Sequence, residues 1–318
     1  MMRRLLLLAA LLGPVVLPTP AQALLCTMSA SDVAFGNVDV LSGSPVDGAG
    51  TVTIDCLGVP LTTLRICLNV NAGTGGADVN GRYMLNGANP LRYQLYQDAG
   101  RSVIWGSTTW GLPGDPPQID LPIGAGGTAS TTVTMYGRVF GSQTTAPAGV
   151  YASNFSGNNV NFVYAVLALF DCSNILGLPP LLSAVSFNVT ASVVNNCLVN
   201  AQTIDFGSYG VLNSAVDATG QVAVTCTPGT NYTIGLDGGL SNGTPTARKM
   251  MKGAEAITYG LYQDFPRSQP WGNTTGSDTV AGTGAGTTQN YPVYARVPAQ
   301  PTPSAGLYAD KVVVTVTY

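Results

Sequence analysis

Residues 91–106 read LRYQLYQDAGRSVIWG, and residues 257–272 read ITYGLYQDFPRSQPWG. Nine of the sixteen positions are identical, including a Leu-Tyr-Gln-Asp run and a Trp-Gly pair at the same spacing. Self-similarity of this length within one chain indicates an internal repeat. The sequence therefore predicts a duplicated domain.

The similarity between the two halves extends beyond this motif when loop lengths are allowed to differ. In the first half the further landmarks are Cys26, Phe35-Gly36 and residues 52–56, 136–139 and 149–152. Their counterparts follow in the same order in the second half, as Cys197, Phe206-Gly207 and residues 222–226, 294–297 and 306–309. We assign residues 24–182 to an N-terminal domain and residues 183–318 to a C-terminal domain, with 183–194 as an interdomain strand.

The composition favours an all-β fold. Lysine occurs only at positions 249, 252 and 311, and Glu255 is the only glutamate, whereas Gly, Thr, Ser, Asn and Val abound. Short apolar–polar alternations between Gly, Pro, Asn and Ser clusters predict a β-sandwich in each half. The formal net charge is −3 and no cluster of Lys and Arg is present, so we expect no nucleic-acid partner.

The first 23 residues predict a secretory signal peptide. Arg3 and Arg4 precede an apolar run at residues 5–12, and the segment closes on the small-residue site Ala21-Gln22-Ala23. We therefore expect residues 1–23 to be removed and the mature chain to be exported. No later stretch has the ~18 uninterrupted apolar residues of a membrane-spanning helix.

The six cysteines of an exported chain predict disulfides. The pairs suggested by the matched positions, with the two remaining cysteines joined in the first domain, are Cys26–Cys56, Cys197–Cys226 and Cys67–Cys172. A closed loop of roughly 30 residues would contribute about 3 kcal/mol of stability. Since the chain has no histidine and no CxxC spacing, we expect no metal site and no cofactor.

An enzymatic function is not expected. Without histidine, neither a Ser-His-Asp nor a Cys-His arrangement can form. Paired carboxylates could serve a glycosidase, but Asp98, Asp115, Asp120 and Asp171 stand near Gly, Pro or Ser, where turn-forming aspartates are common. We therefore assign no catalytic residue.

Two asymmetries distinguish the halves. A strand pattern precedes the second repeat, with apolar positions at Phe187, Val189, Ala191 and Val193. After signal-peptide cleavage only Leu24 and Leu25 precede the matching Cys26, so we expect the first domain to have no such leader. The first repeat continues past its last aligned strand whereas the second stops at Tyr318, so we expect the second domain to lack a final strand.

The series FNVTASVV before a Cys, FG, LYQD with Arg and WG, YxR, and GLYAD before an alternating strand resembles the spore coat protein U family. The resemblance covers essentially the whole mature chain, once in each half, and is more faithful in the second half. That family includes subunits of archaic chaperone/usher pili. The resemblance implies immunoglobulin-like domains, the second lacking one strand and completed by a strand donated from the next subunit. The strand at residues 187–193 would complete the first domain from within the chain. The implied edge of the acceptor site is Val312, Val314, Val316 and Tyr318.

The resemblance extends to a two-domain tip adhesin, exported through the periplasm to the cell surface. It implies a periplasmic chaperone, an outer-membrane usher, an adjacent pilin and a hydrophobic surface or other receptor as partners. The N-terminal domain would mediate attachment and biofilm formation, and the C-terminal domain would anchor the chain to the fibre. The alternatives are a non-adhesive structural subunit of a pilus stalk or spore coat, and a lectin-like tip that binds a glycan.

Two apolar loops unique to the first half are the predicted adhesive surface. Their residues are Trp110, Leu112, Ile175, Leu176, Leu178, Leu181 and Leu182. The alternative is that these side chains pack beneath a long loop or at the domain joint.

The repeated motif also allows two interpretations. Asp98, Arg101 and Trp105 could form a ligand site, or a buried Trp and charged side chains could hold a turn. Its presence in both halves favours the structural interpretation, because every copy of the fold needs its turn whereas a binding site need not be duplicated.

Overall fold

A computed structural model describes residues 24–108, 113–166, 171–173, 181–182 and 185–318, of which residues 181–182 are described as backbone. Within these ranges the regular structure is β-strand, apart from one turn of 3-10 helix at Gly157–Asn159. The all-β prediction is confirmed. In this part of the chain, no helix has the length and apolar character needed to cross a membrane. The predicted signal peptide lies outside the described residues.

The first domain consists of two sheets. A nine-stranded sheet has the order β1-β3-β9-β7-β6-β10-β13-β2, with β5 attached to β6, and a four-stranded sheet has the order β12-β11-β4-β8. The strands are β1 Leu25–Ala30, β2 Val33–Val38, β3 Val46–Leu57, β4 Thr63–Val70, β5 Ala77–Asp78, β6 Gly81–Asn86, β7 Asn89–Tyr96, β8 Gln118–Pro122, β9 Thr128–Val139, β10 Gly149–Phe155, β11 Val160–Val166, β12 Leu181–Leu182 and β13 Phe187–Val193.

The second domain repeats most of this arrangement. A five-stranded sheet has the order β14-β15-β20-β18-β17, and a three-stranded sheet has the order β19-β16-β21. The strands are β14 Cys197–Ala201, β15 Val216–Cys226, β16 Asn231–Leu236, β17 Arg248–Lys252, β18 Glu255–Tyr262, β19 Val280–Thr283, β20 Gln289–Val297 and β21 Val314–Thr317. They correspond in order to β1, β3, β4, β6, β7, β8, β9 and β11.

Each domain has its own apolar core. In the first domain alternate residues of β3 and β4, such as Ile54 and Ile66, are fully buried between the two sheets. In the second domain Val224 and Ile234 lie on the matching strands β15 and β16 and are also fully buried. Two separate cores of the same design confirm the duplication.

The repeated motif forms the same turn in both domains. Oδ1 of Asp98 accepts hydrogen bonds from the backbone N–H groups of Ser102 (2.9 Å) and Val103 (2.8 Å). Asp264 does the same for the two matching residues. Trp105 and Trp271 are buried, and each donates its Nε1–H to a carbonyl oxygen on β4 or β16 at 3.0 Å. These contacts are those of the structural interpretation.

The arginine of the motif pairs with a carboxylate outside it. Arg101 lies 3.1 Å from Asp47 on β3, which also pairs with Arg138 on β9 at 2.7 Å. Asp217, Arg267 and Arg296 form the same triad in the second domain. Hydrogen bonds from Arg138 and Arg296 hold the pKa values of the two aspartates below their ordinary range.

A buried arginine binds the Trp-bearing loop to the sheet in each domain, a feature that the sequence analysis missed. Arg82 donates to the carbonyl oxygens of Asn71 (2.8 Å), Val70 (2.6 Å) and Trp105 (2.7 Å). Arg248 makes the matching three bonds, to the carbonyl oxygens of residues 237, 236 and 271. Burial lowers the pKa of Arg82 to about 10, so the guanidinium stays charged at neutral pH. The available signal was an arginine eleven residues before Tyr93 and before Tyr259.

The structure contains three disulfides, and they are the pairs predicted from the sequence: Cys26–Cys56, Cys67–Cys172 and Cys197–Cys226. The first and third join β1 to β3 and β14 to β15, so they occupy the same place in both domains. The second attaches the segment after β11 to β4 and has no counterpart in the second domain.

The domains meet at the end of the first domain where β2 and β13 finish. Asn196 donates from Nδ2 to Asp39 at 2.8 Å. Gly286 has φ +72°, and a Cβ there would stand 1.9 Å from the carbonyl oxygen of Thr144. Glycine is therefore required at this point of close approach.

Candidate functional site

The interdomain strand β13 lies inside the first domain's large sheet. It pairs antiparallel with β10 over its whole length, from Gly149↔Val193 to Phe155↔Phe187. On its other side it pairs parallel with β2. The strand that links the domains is therefore a structural part of the first one.

The alternation predicted for this strand matches its burial. Phe187, Val189, Ala191 and Val193 are at most 3% exposed, whereas the residues between them are half-buried. Phe187 stacks on Phe155 of β10, with ring centroids 4.6 Å apart. At the rim, the backbone N–H of Asn188 donates to Asp32 at 2.7 Å.

No strand from the described residues occupies the same place in the second domain. The counterparts of β2 and β10 are residues 204–209 and 306–312, and neither forms a strand there. Their position is nevertheless preserved. The rings of Phe206 and Tyr259 have centroids 6.1 Å apart, the same distance as those of Phe35 and Tyr93. The Tyr308 hydroxyl donates to the carbonyl oxygen of residue 304, just as the Tyr151 hydroxyl donates to that of residue 147. We call the space between these two segments the acceptor groove.

Side chains around the acceptor groove are more exposed than their counterparts beside β13. In the first domain the counterparts are at most 6% exposed: Val33, Phe35, Met84, Leu91, Tyr151 and Phe155. In the second domain the matching residues are all partly exposed: Ile204, Phe206, Met250, Ile257, Tyr308 and Val312. The described residues place no strand beside these side chains in the second domain, whereas β13 covers their counterparts in the first.

The predicted edge residues of the acceptor site lie in two places, one beside the groove and the others on or next to β21. Val312 matches Phe155 and so borders the acceptor groove directly. Val314 and Val316 lie on β21 in the three-stranded sheet, half-buried against the core that the groove leaves partly uncovered. Tyr318 is 55% exposed, and its hydroxyl lies 3.5 Å from Oδ1 of Asn196.

A polar network holds the segment at residues 304–310 in place. Glu255 accepts hydrogen bonds from the backbone N–H of Ser304 (3.0 Å) and from the Ser304 hydroxyl, and its carboxylate lies 3.1 Å from the Tyr308 hydroxyl oxygen. These bonds, led by that from the Ser304 hydroxyl, lower the pKa of Glu255 to about 2. Lys252 donates to the carbonyl oxygen of Ala305 at 2.6 Å. The segment therefore stays near the sheet although only one isolated bridge, Met251↔Ala309, ties its backbone to β17.

The other end of the first domain is apolar. The turn between β3 and β4 exposes Leu57 (52%), Val59 (55%) and Leu61 (84%). Leu25 pairs with Leu57 and is itself half exposed. β3 is twelve residues long and begins near the domain joint. The turn at its other end therefore lies roughly 35–40 Å from that joint.

The backbone of this turn is unusual for its sequence. Leu61 has φ +62°, in the left-handed region that favours glycine. A Leu there costs about 1 kcal/mol, and its side chain is almost fully exposed. Strained residues of this kind often lie at functional sites. The second domain has a shorter connection at this place, since Thr230 follows Cys226 by four residues whereas the matching Leu64 follows Cys56 by eight.

Of the seven predicted adhesive residues, two lie in the described part of the chain. Trp110, Leu112, Ile175, Leu176 and Leu178 lie outside the described residues. Leu181 and Leu182 form β12, whose backbone pairs with β11. The turn at residues 57–62 was missed, although its extra length relative to the second repeat and its Leu-Gly-Val-Pro-Leu sequence were visible signals.

Neither end of the molecule has the donors of a metal site, since the described ranges hold no group of three His, Cys, Asp or Glu side chains that could bind an ion. Two features of the described residues are open to a partner: an unfilled strand position and an exposed apolar turn. The first can accept a peptide backbone with alternating side chains, and the second can make apolar contacts.

Comparison with known proteins follows this division into repeats. The model of the Spore Coat Protein U domain matches residues 15–157 and 183–315. The second match begins ahead of β13, so the family's unit includes the strand that completes the preceding domain. Protein U of Myxococcus xanthus is 32% identical over 174 residues, covering 97% of that protein and 48% of this chain.

Two solved structures of pilus proteins align with nearly the whole chain. One is a chain of the CsuC-CsuE chaperone–tip adhesion subunit pre-assembly complex from archaic chaperone-usher Csu pili of Acinetobacter baumannii. It has a TM-score of 0.51 and 18% identity, covering 92% of this chain and 100% of that one. The CupB6 tip adhesin from Pseudomonas aeruginosa has a TM-score of 0.40 and 11% identity, covering 92% and 94%. The first alignment shows a shared fold.

Proposed function

The chain belongs to the spore coat protein U family, and from that membership we propose that it is the tip subunit of an archaic chaperone/usher pilus. In this proposal the second domain accepts a strand from the adjacent pilin and anchors the chain to the fibre. The first domain attaches to a surface and supports biofilm formation.

The observation that carries the proposal is the unequal completion of the two repeats. The first domain is filled by β13 of its own chain, while no strand of the described residues lies at the matching position in the second domain. A subunit built this way offers one acceptor site to a fibre and keeps its other domain closed. That arrangement suits a terminal position, where one domain faces the fibre and the other faces outward.

The open groove also supports the proposed chaperone and usher. Partly exposed apolar side chains and unpaired strand edges promote aggregation, so a transport partner has to cover them before assembly. The complex that shares this fold holds a tip adhesion subunit with its chaperone before assembly. We propose that a periplasmic chaperone occupies the acceptor groove of this chain and hands it to an outer-membrane usher and then to the adjacent pilin.

The apolar turn supports attachment by the first domain. Leu57, Val59 and Leu61 project at the end farthest from the second domain, where a contacted surface would lie. Burying each side chain would contribute about 1.5 kcal/mol or more, so a few contacts per tip and many tips per cell give firm attachment. The predicted loops around Trp110 and Leu178 belong to the same proposal.

The acceptor role can be tested by completing the second domain artificially. A copy of residues 187–193 is appended after Tyr318 through a Gly/Ser linker with as many residues as the stretch from 165 to 186, which precedes β13 in the first domain. We expect the second domain's unfolding temperature to rise by about 10 °C or more. The control carries Val189→Asn in the appended copy only. Equal unfolding temperatures for the two variants would contradict the acceptor role.

The adhesive role can be tested with matched apolar substitutions. Leu57→Ser, Val59→Ser and Leu61→Ser together should reduce retention of piliated cells on polystyrene about ten-fold. The control replaces Val211 and Leu240 of the second domain with Ser, since these are exposed to a similar degree, 61% and 72%. Unchanged retention with normal fibres would favour a glycan-binding or purely structural role instead.

A further inference from the structure

We propose that the segment donated to the second domain is bipartite and closes both of its sheets. A short upstream strand would extend the free edge of β21, and a longer strand four residues later would fill the acceptor groove. This inference rests on the proposed acceptor function and specifies the partner that the site takes.

The first domain provides the template, because its own chain makes both additions. β12 pairs antiparallel with β11, at Asn161↔Leu182 and Phe162↔Leu181, and so extends the four-stranded sheet. The chain then reaches β13, which completes the nine-stranded sheet. Four residues, 183–186, separate the two strands. One segment thus joins the edges of both sheets along the same side of the domain.

The second domain has the same two positions, and their residues can be matched. Trp105 donates to the carbonyl oxygen of Leu68, and Trp271 to that of Ile234, so these two carbonyls are equivalent. Phe162 pairs with Leu68, and Val316 pairs with Ile234. Val316 therefore stands where Phe162 stands, and its neighbour Thr315 stands where Asn161 does. Within the described residues, nothing pairs with these two positions on the side where β12 lies in the first domain.

The β21 edge is suited to strand addition. Its sequence is Val-Thr-Val-Thr, with β-branched residues that favour strands and neither a charge nor a proline to block pairing. Thr315 and Thr317 are exposed, and so are the flanking Val313 and Tyr318. An edge with β-branched residues and without charge or proline can pair with a strand from another chain.

The template also specifies the chemistry of the donor. The upstream pair must have free backbone N–H groups, which excludes proline. The groove strand should carry apolar residues at alternate positions, with a small one at the third, as Ala191 is in β13. The first residue of the groove strand would contact Val312 rather than a ring like that of Phe155. It therefore need not be aromatic. The donor should run antiparallel to residues 306–312, as β13 does to β10.

Three variants of the full chain test the proposal, each with a segment appended after Tyr318 by linkers that keep the total length equal. The first carries a copy of residues 187–193, the second a copy of residues 181–193, and the third the longer copy with Leu181→Pro and Leu182→Pro. The readouts are hydrogen exchange of the backbone amides at residues 314–318 and the unfolding temperature of the second domain. We expect the longer copy to slow exchange at β21 about ten-fold more than the shorter copy, and the proline variant to lose that gain.

The outcomes separate the two proposals. If the shorter copy stabilises the second domain but the longer copy adds no protection at β21, the bipartite donor is wrong and the acceptor function stands. If neither copy raises the unfolding temperature, both proposals fail together. Protection of β21 that survives the two prolines would also overturn the inference, because it would not arise from a paired backbone.

Discussion

The two domains of this chain are built from the same motifs but reach different end states. Both have the Trp-bearing turn, the buried arginine, the Asp-centred triad and a disulfide between the first strand and the long strand that follows the Phe-Gly pair. The first domain also contains β13 between β10 and β2, and around it the matched side chains are buried. The second domain has no such strand in the structure, and the same positions are partly exposed. The difference shows that local motifs specify the framework, while completion depends on a segment that lies outside the repeated core.

The largest effect is expected from opening the first domain. Val189→Asp places a carboxylate at a site with no solvent exposure and should destabilise that domain by about 5 kcal/mol. Denaturant unfolding with domain-resolved hydrogen exchange would measure the loss. Thr190→Ser, one residue along and facing the other way, is the control and should cost less than about 1 kcal/mol. A small effect of the aspartate would mean that β13 is not part of the first domain's core.

Alanine substitutions at two matching positions compare how much each domain gains from burying the side chain. Phe155→Ala should cost the first domain about 4 kcal/mol, because it removes a buried ring that stacks on Phe187. Val312→Ala at the matching position should cost the unfilled second domain about 1 kcal/mol, since that side chain is already partly exposed. Repeating the measurement on the variant with an appended donor strand should raise the second cost. If both truncations cost the same in the free chain, the groove is not open.

The buried arginines should have similar effects in both domains. Arg82→Met removes the donor of three backbone carbonyl oxygens and of the Gln94 side-chain oxygen, and should cost the first domain about 3 kcal/mol. Arg248→Met removes the donor of four backbone carbonyl oxygens and should cost the second domain about the same. Urea unfolding of each variant would give the two values. Arg92→Met is the control, because Arg92 is exposed on β7 and should cost less than about 0.5 kcal/mol. Unequal losses at Arg82 and Arg248 would show that the repeats do not share this support.

A substitution in the apolar turn should change the stability of the first domain and its attachment to a surface in opposite directions. Leu61→Gly relieves a positive φ and should stabilise the first domain by up to about 1 kcal/mol, while attachment to an apolar surface falls. Thermal unfolding and polystyrene retention are measured on the same variant. Parallel changes in the two quantities, or retention that does not change, would remove Leu61 from the adhesive surface.

The smallest effect concerns pH and the segment at residues 304–310. The pKa of Glu255 is lowered from 4.5 to about 2, so its contribution is present above about pH 4.5 and is lost as the pH falls towards 2. The difference in second-domain unfolding temperature between wild type and Glu255→Gln should shrink over that range. The first domain has Asn89 at the matching position and serves as the internal control. A difference that is constant with pH would exclude this carboxylate as the cause.

Several features of the molecule were predictable from residues alone. The duplication followed from identical motifs, and the inward face of β13 followed from the two-residue alternation of its apolar residues. Two disulfide pairs followed from matched cysteines and the third from the two cysteines that remained. These are local or pairwise regularities, and a strand's side chains alternate whatever sheet it joins. The sequence could likewise identify Trp105 and Trp271 as structural, since both copies carry them.

Tertiary structure alone decided how these pieces are combined. Alternation at residues 187–193 indicates a strand with one buried face, but not that it lies between β10 and β2 or runs parallel to the latter. The carbonyl oxygens that Arg82 binds lie 11 to 23 residues away in the sequence, and they come together only when β4 and the Trp loop converge. The exposure of Leu61 and of the groove side chains depends on whether other segments of the chain pack over them. The sequence by itself determined the repeated framework, and the packing of distant segments determined which repeat is closed, since burial belongs to the whole fold rather than to any one stretch of chain.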